Sequence, residues 1–180
     1  MKKENNFIEV SVEKEWIATI NLSNKIRLDK WMNPSTIVVN CFPEYSSRLT
    51  QTLNHLLSPL NKNSLFEQID LAIPAPSYTQ VWNPLSKAYE GFDTYLKNWI
   101  NDNVFSCNFL FVTNAVAPKH LNKIKLSMRN KLDNEHFRFC ALYVPDDSTF
   151  LPDYYEDTYN SNKTLVFEWE NILNPLSIIT

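Results

Sequence analysis

Residues 108–124, Asn-Phe-Leu-Phe-Val-Thr-Asn-Ala-Val-Ala-Pro-Lys-His-Leu-Asn-Lys-Ile, contain the first group of side chains that could do chemistry. Phe109 to Val112 form an apolar run that reads as a buried strand. Thr113 and Asn114 follow it. A short turn then leads into a helix that starts near Lys119. A strand, a tight loop and a helix start make an anion site, because the first turn of a helix offers unbonded N–H groups and the positive end of its dipole. Lys119 and His120 could grip a phosphate there. A second unit of the same kind lies upstream: the run Ile37–Asn40, then Phe42, Pro43 and Glu44, then an amphipathic segment.

Both loops lack what such loops normally carry. The 180 residues include a single glycine, Gly91, where average usage gives about twelve. Glycine lets a backbone take φ > 0 and approach a phosphate closely, so the usual glycine-rich nucleotide loops are excluded. Pro118 removes one N–H donor from its turn. Glu44 would repel an anion there. Asp70 and Asp93 have no nucleophile or second carboxylate beside them in sequence, and neither is assigned a role.

Metal and redox chemistry find no support in the spacing. Cys41, Cys107 and Cys140 are far apart and sit in or beside apolar stretches, with no C-x-x-C. They read as buried reduced thiols. His55, His120 and His136 have no ligand spacing with one another or with a cysteine. No metal and no cofactor are expected. The net charge of −3 gives the chain no footprint for nucleic acid. No apolar run approaches the ~20 residues of a membrane span, and "MKKENNFIEV" lacks the apolar block of a signal peptide. A cytoplasmic protein without membrane contact is expected.

The elements that must position these groups alternate. A helix is expected over "VSVEKEWIATINLSNKI", with Ser11 as N-cap. Strands are expected in "PSTIVVNCF", "FEQIDLAIPAP", "SCNFLFVTN", "FRFCALYVP" and "KTLVFEWE". Helices are expected over "EYSSRLTQTLNHLLSPL", over "NPLSKAYEGFDTYLKNWIND" with Asn83 as N-cap and Pro84 at its first position, and over "PKHLNKIKLSMRNKL". Near-continuous apolar strands alternating with helices imply an α/β fold, a mostly parallel sheet flanked by helices on both faces. Residues 1–180 read as a single domain. Ligands in such sheets sit beyond the carboxyl ends of the strands, where the winding direction switches.

"CALYVPDDSTFLPDYYEDTYNSNKTLVFEWE" resembles the C-terminal portion of purine phosphoribosyltransferases, the hypoxanthine, xanthine and guanine salvage enzymes. The matching residues are Leu142-Tyr143-Val144, Pro152-Asp153-Tyr154-Tyr155 and Val166-Phe167-Glu168-Trp169-Glu170. Working backward, "FLFVTNAVAPKHL" takes the place of the family's phosphoribosyl pyrophosphate loop, and Phe42-Pro43-Glu44 that of its pyrophosphate loop. The resemblance covers most of the chain and is weak over residues 61–105. It implies a phosphoribosyltransferase-like domain, commonly a dimer, with Tyr154 and Tyr155 in the region that covers the base.

The departures fall on the chemistry. The family's two loop acids are Thr113 and Asn114 here, its glycine before the basic residue is Pro118, and the threonine after that residue is His120. The resulting expectation is a chain that is not an enzyme, a degenerate member acting as a structural or regulatory protein-binding subunit. A viral or phage source fits its Asn- and Lys-rich composition loosely. The alternatives are a purine nucleotide-binding sensor and a divergent purine phosphoribosyltransferase. A protein partner is expected, as is a homodimer: Lys119, Lys123, Lys125, Arg129 and Lys131 charge one helix, and residues 146–157 carry five acids and no base.

Overall fold

The computed structural model describes residues 6–43, 46–58, 66–74 and 80–168. Its centre is a five-stranded parallel sheet made of β2 (Ile37–Asn40), β3 (Gln68–Asp70), β6 (Phe109–Ala115), β7 (Phe137–Pro145) and β8 (Tyr154–Tyr159), in the order β3-β2-β6-β7-β8. β2 and most of β6 are buried on both faces, which is why they read as unbroken apolar runs. Helices α1 (Val12–Asp29) and α2 (Ser47–Leu57) cover one face, packing Leu22, Ile26, Leu49 and Leu53 on Val38, Leu110 and Cys140. Helices α3 (Phe92–Asn103) and α4 (Pro118–Arg129) cover the other, packing Leu96, Trp99, Leu121 and Ile124 around Phe109, Phe111 and Phe139. Phe111 stacks on Phe139 with ring centroids 5.0 Å apart. Among the described residues no helix is long and apolar enough to cross a membrane.

Ser11 caps α1 as expected, its hydroxyl accepting from the Lys14 N–H at 3.2 Å. Three other expectations need correction. Asn83 and Pro84 do not start a helix. They belong to a hairpin, β4 (Gln80–Asn83) and β5 (Ala88–Gly91), and α3 begins only at Phe92. The Asn83 side chain caps the hairpin turn instead, accepting from the Leu85 N–H at 2.9 Å and donating to Glu90 at 3.0 Å. An Asn-Pro pair serves a turn as readily as a helix start, and Leu85 is 85% exposed at the tip.

The Pro-Asp-Tyr-Tyr stretch, where no strand is expected, leads into β8, the fifth strand, which Tyr154 and Tyr155 open. "KTLVFEWE" supplies β9 (Thr164–Phe167), which pairs with β1 (Phe7–Val10) in a separate parallel ribbon and does not extend the main sheet. Trp169 and Glu170 lie outside the described residues.

Candidate functional site between two strand–loop–helix units

The chain leaves β2 toward one edge of the sheet, through α2 to β3. It returns through α3 to the other side of β2, where β6, β7 and β8 follow. The winding direction therefore switches between β2 and β6. Asn40 lies beside Val112, and the Cys41 N–H donates to the Val112 carbonyl at 3.0 Å, so β2 ends three residues before its neighbour β6 does. The chain continues from β2 to α2 and from β6 to α4, helices on opposite faces of the sheet. The cleft between the two connecting loops is where a parallel sheet presents a ligand site.

The sequence-singled residues, Glu44 excepted, each have a definite place. Thr113 and Asn114 are the fifth and sixth residues of β6, both buried, and so precede the loop proper. The Thr113 hydroxyl donates to the Ala115 carbonyl at 2.8 Å. Pro118 opens α4 and Ala117 is its N-cap residue, with no side-chain cap. Lys119 is exposed and His120 half-buried, its ring edge-on to Phe92 at 5.0 Å. Burial depresses the His120 pKa, and the neighbouring Lys119 and Lys123 ammoniums push the same way. Phe42 and Pro43 follow β2, with Phe42 packed on the α3–α4 core. Glu44 lies outside the described residues.

Tyr154 and Tyr155 are not brought into this cleft. They pair with Cys140 and Ala141, level with Val112 and Thr113 but two strands away on the edge strand. The Tyr154 hydroxyl donates to the Asp29 carboxylate at the end of α1. Cys41 and Cys140 are fully buried, and burial pushes both thiols far up, so they stay protonated and inert at neutral pH.

The composition of the chain gives little notice of the polar group that ends β2. Asn40, 1% exposed, bonds Ser46, Ser47, Thr50 and Asp70. The available signal is an amide closing the run Ile-Val-Val, where a parallel strand favours an apolar residue. Asp93, set aside in the sequence, pairs with Lys123 at 2.6 Å and draws the start of α3 to α4.

A cavity of 710 Å³ opens beside the carboxyl ends of β7 and β8, lined in part by Ile17, Tyr143, Glu156, Asp157, Tyr159 and Leu165. Its size suits a small organic ligand. The wall is apolar and aromatic, with Lys14, Glu156 and Asp157 at its edge. Burial raises the Tyr143 pKa, assisted by Asp157, Glu15 and Glu156, so that phenol is a hydrogen-bond donor at neutral pH. The Val116 N–H donates to the Tyr143 carbonyl at 3.1 Å, which ties the loop after β6 to the strand bordering the cavity.

No family model and no curated protein matches the chain. Solved structures do. A xanthine-guanine-hypoxanthine phosphoribosyltransferase from Helicobacter pylori is 13% identical with a TM-score of 0.62, over 97% of this chain and 99% of that one. A purine phosphoribosyltransferase from Pyrococcus horikoshii Ot3 is 15% identical, TM-score 0.58, over 91% and 94%. A hypothetical protein from Neisseria gonorrhoeae with bound ppGpp is 12% identical, TM-score 0.59, over 92% and 90%.

The chain has the phosphoribosyltransferase fold across nearly its whole length. The expectation of a chain that is not an enzyme is corrected by the same comparison. Two of these three structures are enzymes by name, and the strands and helices of both units, β2 with α2 and β6 with α4, are in place here. The altered loop residues change what the cleft can hold; they do not remove it.

Proposed function

We propose that the protein is a divergent purine phosphoribosyltransferase, which binds a phosphorylated purine nucleoside or its precursors in the cleft between β2 and β6. The observation that carries this reading is the uncapped start of α4 at the winding switch, with Lys119 and His120 in its first turn. Pro118 has no N–H and the His120 N–H donates to the Ala117 carbonyl at 3.1 Å, so the first turn of this helix, which has no side-chain cap, offers an anion the Lys119 N–H. Lys119 adds a point charge, and His120 gains a proton where a phosphate stabilises its cation.

In such a reaction a base nitrogen bonds to the ribose anomeric carbon while the bond from that carbon to pyrophosphate breaks. The work left to this chain is positioning and charge stabilisation. Residues of the loop after β6 hold the 5′-phosphate. Phe42 and Pro43 border the place of the leaving pyrophosphate. Magnesium, which the fold family pairs with its substrate, takes hard anionic oxygens. Thr113 and Asn114 are neutral, the Thr113 hydroxyl is committed to Ala115, and no group of three ligating side chains occurs among the described residues. These residues do not fit a protein-held magnesium ion, and no step is assigned to one.

A second reading, a purine nucleotide sensor, is favoured by the neutral Thr113–Asn114 pair and by the ppGpp held in the Neisseria gonorrhoeae structure. A protein partner or a second copy could use the charges of α4 and residues 146–157, although Lys125 already lies over the Phe150 ring of its own protomer at 5.5 Å. The deciding experiment follows pyrophosphate release from phosphoribosyl pyrophosphate with hypoxanthine, guanine or xanthine. Base-dependent release that Lys119→Ala lowers at least tenfold is expected. Binding of guanosine monophosphate without any turnover would replace the enzyme with the sensor.

A further inference from the structure

We infer that Asn40 is a positioning residue for the cleft, fixing the mouth of the loop after β2 through two serines. The inference rests on the functional reading above for its ligand and on geometry for everything else. A buried primary amide must use its hydrogen-bonding capacity or destabilise the fold, and Asn40 uses both N–H groups and its oxygen. Its two N–H groups donate to Asp70 Oδ1 at 2.9 Å and to Ser47 Oγ at 3.0 Å. Its oxygen accepts from Ser46 Oγ at 2.6 Å, with Thr50 Oγ1 alongside at 3.3 Å giving its proton to the Ser46 carbonyl at 2.8 Å.

Asp70 decides which way the amide points. An ionised carboxylate only accepts, so the nitrogen side must face β3 and the oxygen side must face the start of α2. Hydroxyl directions follow from that. Ser46 gives its proton to Asn40 and is left to accept from the Phe42 N–H at 3.1 Å. Ser47, accepting from Asn40, is free to donate to the Pro43 carbonyl. The Ser46 N–H also donates to the Phe42 carbonyl at 2.7 Å. One amide at a strand end thus sets the backbone at Phe42 and Pro43, the two described residues that enter the loop, and at Ser46, where the chain leaves it.

The test is a swap across the Asn40–Asp70 pair. Asn40→Asp sets two carboxylates against each other, and the double variant Asn40→Asp/Asp70→Asn restores one donor facing one acceptor. Amide hydrogen exchange at Phe42 and Ser46 is read against Phe111 as an internal control. Titration with phosphoribosyl pyrophosphate and, separately, guanosine monophosphate gives affinity. In Asn40→Asp, exchange at Phe42 and Ser46 is expected to rise at least tenfold more than at Phe111. Affinity for phosphoribosyl pyrophosphate is expected to fall about tenfold, and the double variant to recover most of both.

Uniform acceleration at Phe42, Ser46 and Phe111, or unchanged exchange at the loop, would overturn the positioning role. So would a double variant no better than Asn40→Asp. If Asn40→Asp does not fold, Asp70→Ala carries the same test with a smaller expected rise, about threefold at Phe42. Absence of ligand binding by the unaltered protein would sink the functional reading alone, since the exchange result is independent of ligand.

Discussion

The two loops that border the cleft are built on opposite plans. The loop after β2 is closed by side chains: Asn40, Ser46, Ser47 and Thr50 bond one another and the backbone they enclose. The loop after β6 has Ala115, Val116, Ala117 and Pro118, no side-chain cap, and two cationic-capable residues where the helix begins. One loop spends its polar groups on itself. The other has few polar groups and leaves its helix end available. The difference teaches that stability and ligand affinity should respond to different residues on the two sides of one cleft.

The largest expected effect tests the platform common to both loops. Phe111→Ala removes a ring stacked on Phe139 and near Trp99 in a fully buried site. Urea unfolding should show a loss of about 3–5 kcal/mol. Next, Asn40→Ala strands the partners of a buried amide and should cost about 2–4 kcal/mol by the same measurement. A loss below about 1 kcal/mol would mean that water replaces the network and that the first loop is not closed by it.

On the other side, Lys119→Ala should leave stability within about 0.5 kcal/mol, as for an exposed side chain, while calorimetry shows phosphate-ligand affinity falling about tenfold. Ala117→Ser sharpens the contrast. A hydroxyl cap should stabilise α4 by about 0.5–1 kcal/mol and weaken the ligand by taking the N–H group that would bind it. A cap that stabilised the helix and left affinity unchanged would place the phosphate elsewhere.

The smallest effect is in pH. His120 titrates below its ordinary value because burial, Lys119 and Lys123 disfavour its cation. A group whose folded pKa is depressed contributes stability above its unfolded pKa and loses it as pH falls through the folded one. Stability should therefore drop on acidification from pH 7 through the ordinary histidine range, and His120→Gln should flatten that slope in pH-dependent urea unfolding. Bound phosphate reverses the sign locally, so affinity should rise over the same acidification.

The sheet was legible because its strands are buried on both faces: Ile37–Asn40 and Phe109–Val112 read as strands on hydrophobicity alone. The hairpin was not, because Asn83-Pro84 and the apolar stripe from Leu85 onward satisfy a helix pattern as well as a turn. The choice was made by tertiary packing, which buries Val81 and Asn83 and turns Trp82 and Tyr89 outward. The strand opened by Tyr154 and Tyr155 was missed for a related reason: acids on either side of a short edge strand hide its pattern. Of the site, the loop after β6 could be located from its strand–turn–helix order. The role of Asn40 could not, since nothing local says that a strand-end amide will meet Asp70 thirty residues away.

The most direct measurement compares guanosine monophosphate with guanosine, and phosphoribosyl pyrophosphate with ribose, in thermal-shift titrations of the whole chain at millimolar ligand. The account predicts a phosphate-dependent response. Ligand at ten times its dissociation constant adds about 1.4 kcal/mol, a rise of about 3–6 °C for a chain of this size, and Ala117→Ser and Lys119→Ala should each reduce it. Equal responses to the phosphorylated and unphosphorylated ligands, or none to any of them, would contradict the assignment of the open end of α4 as a phosphate site.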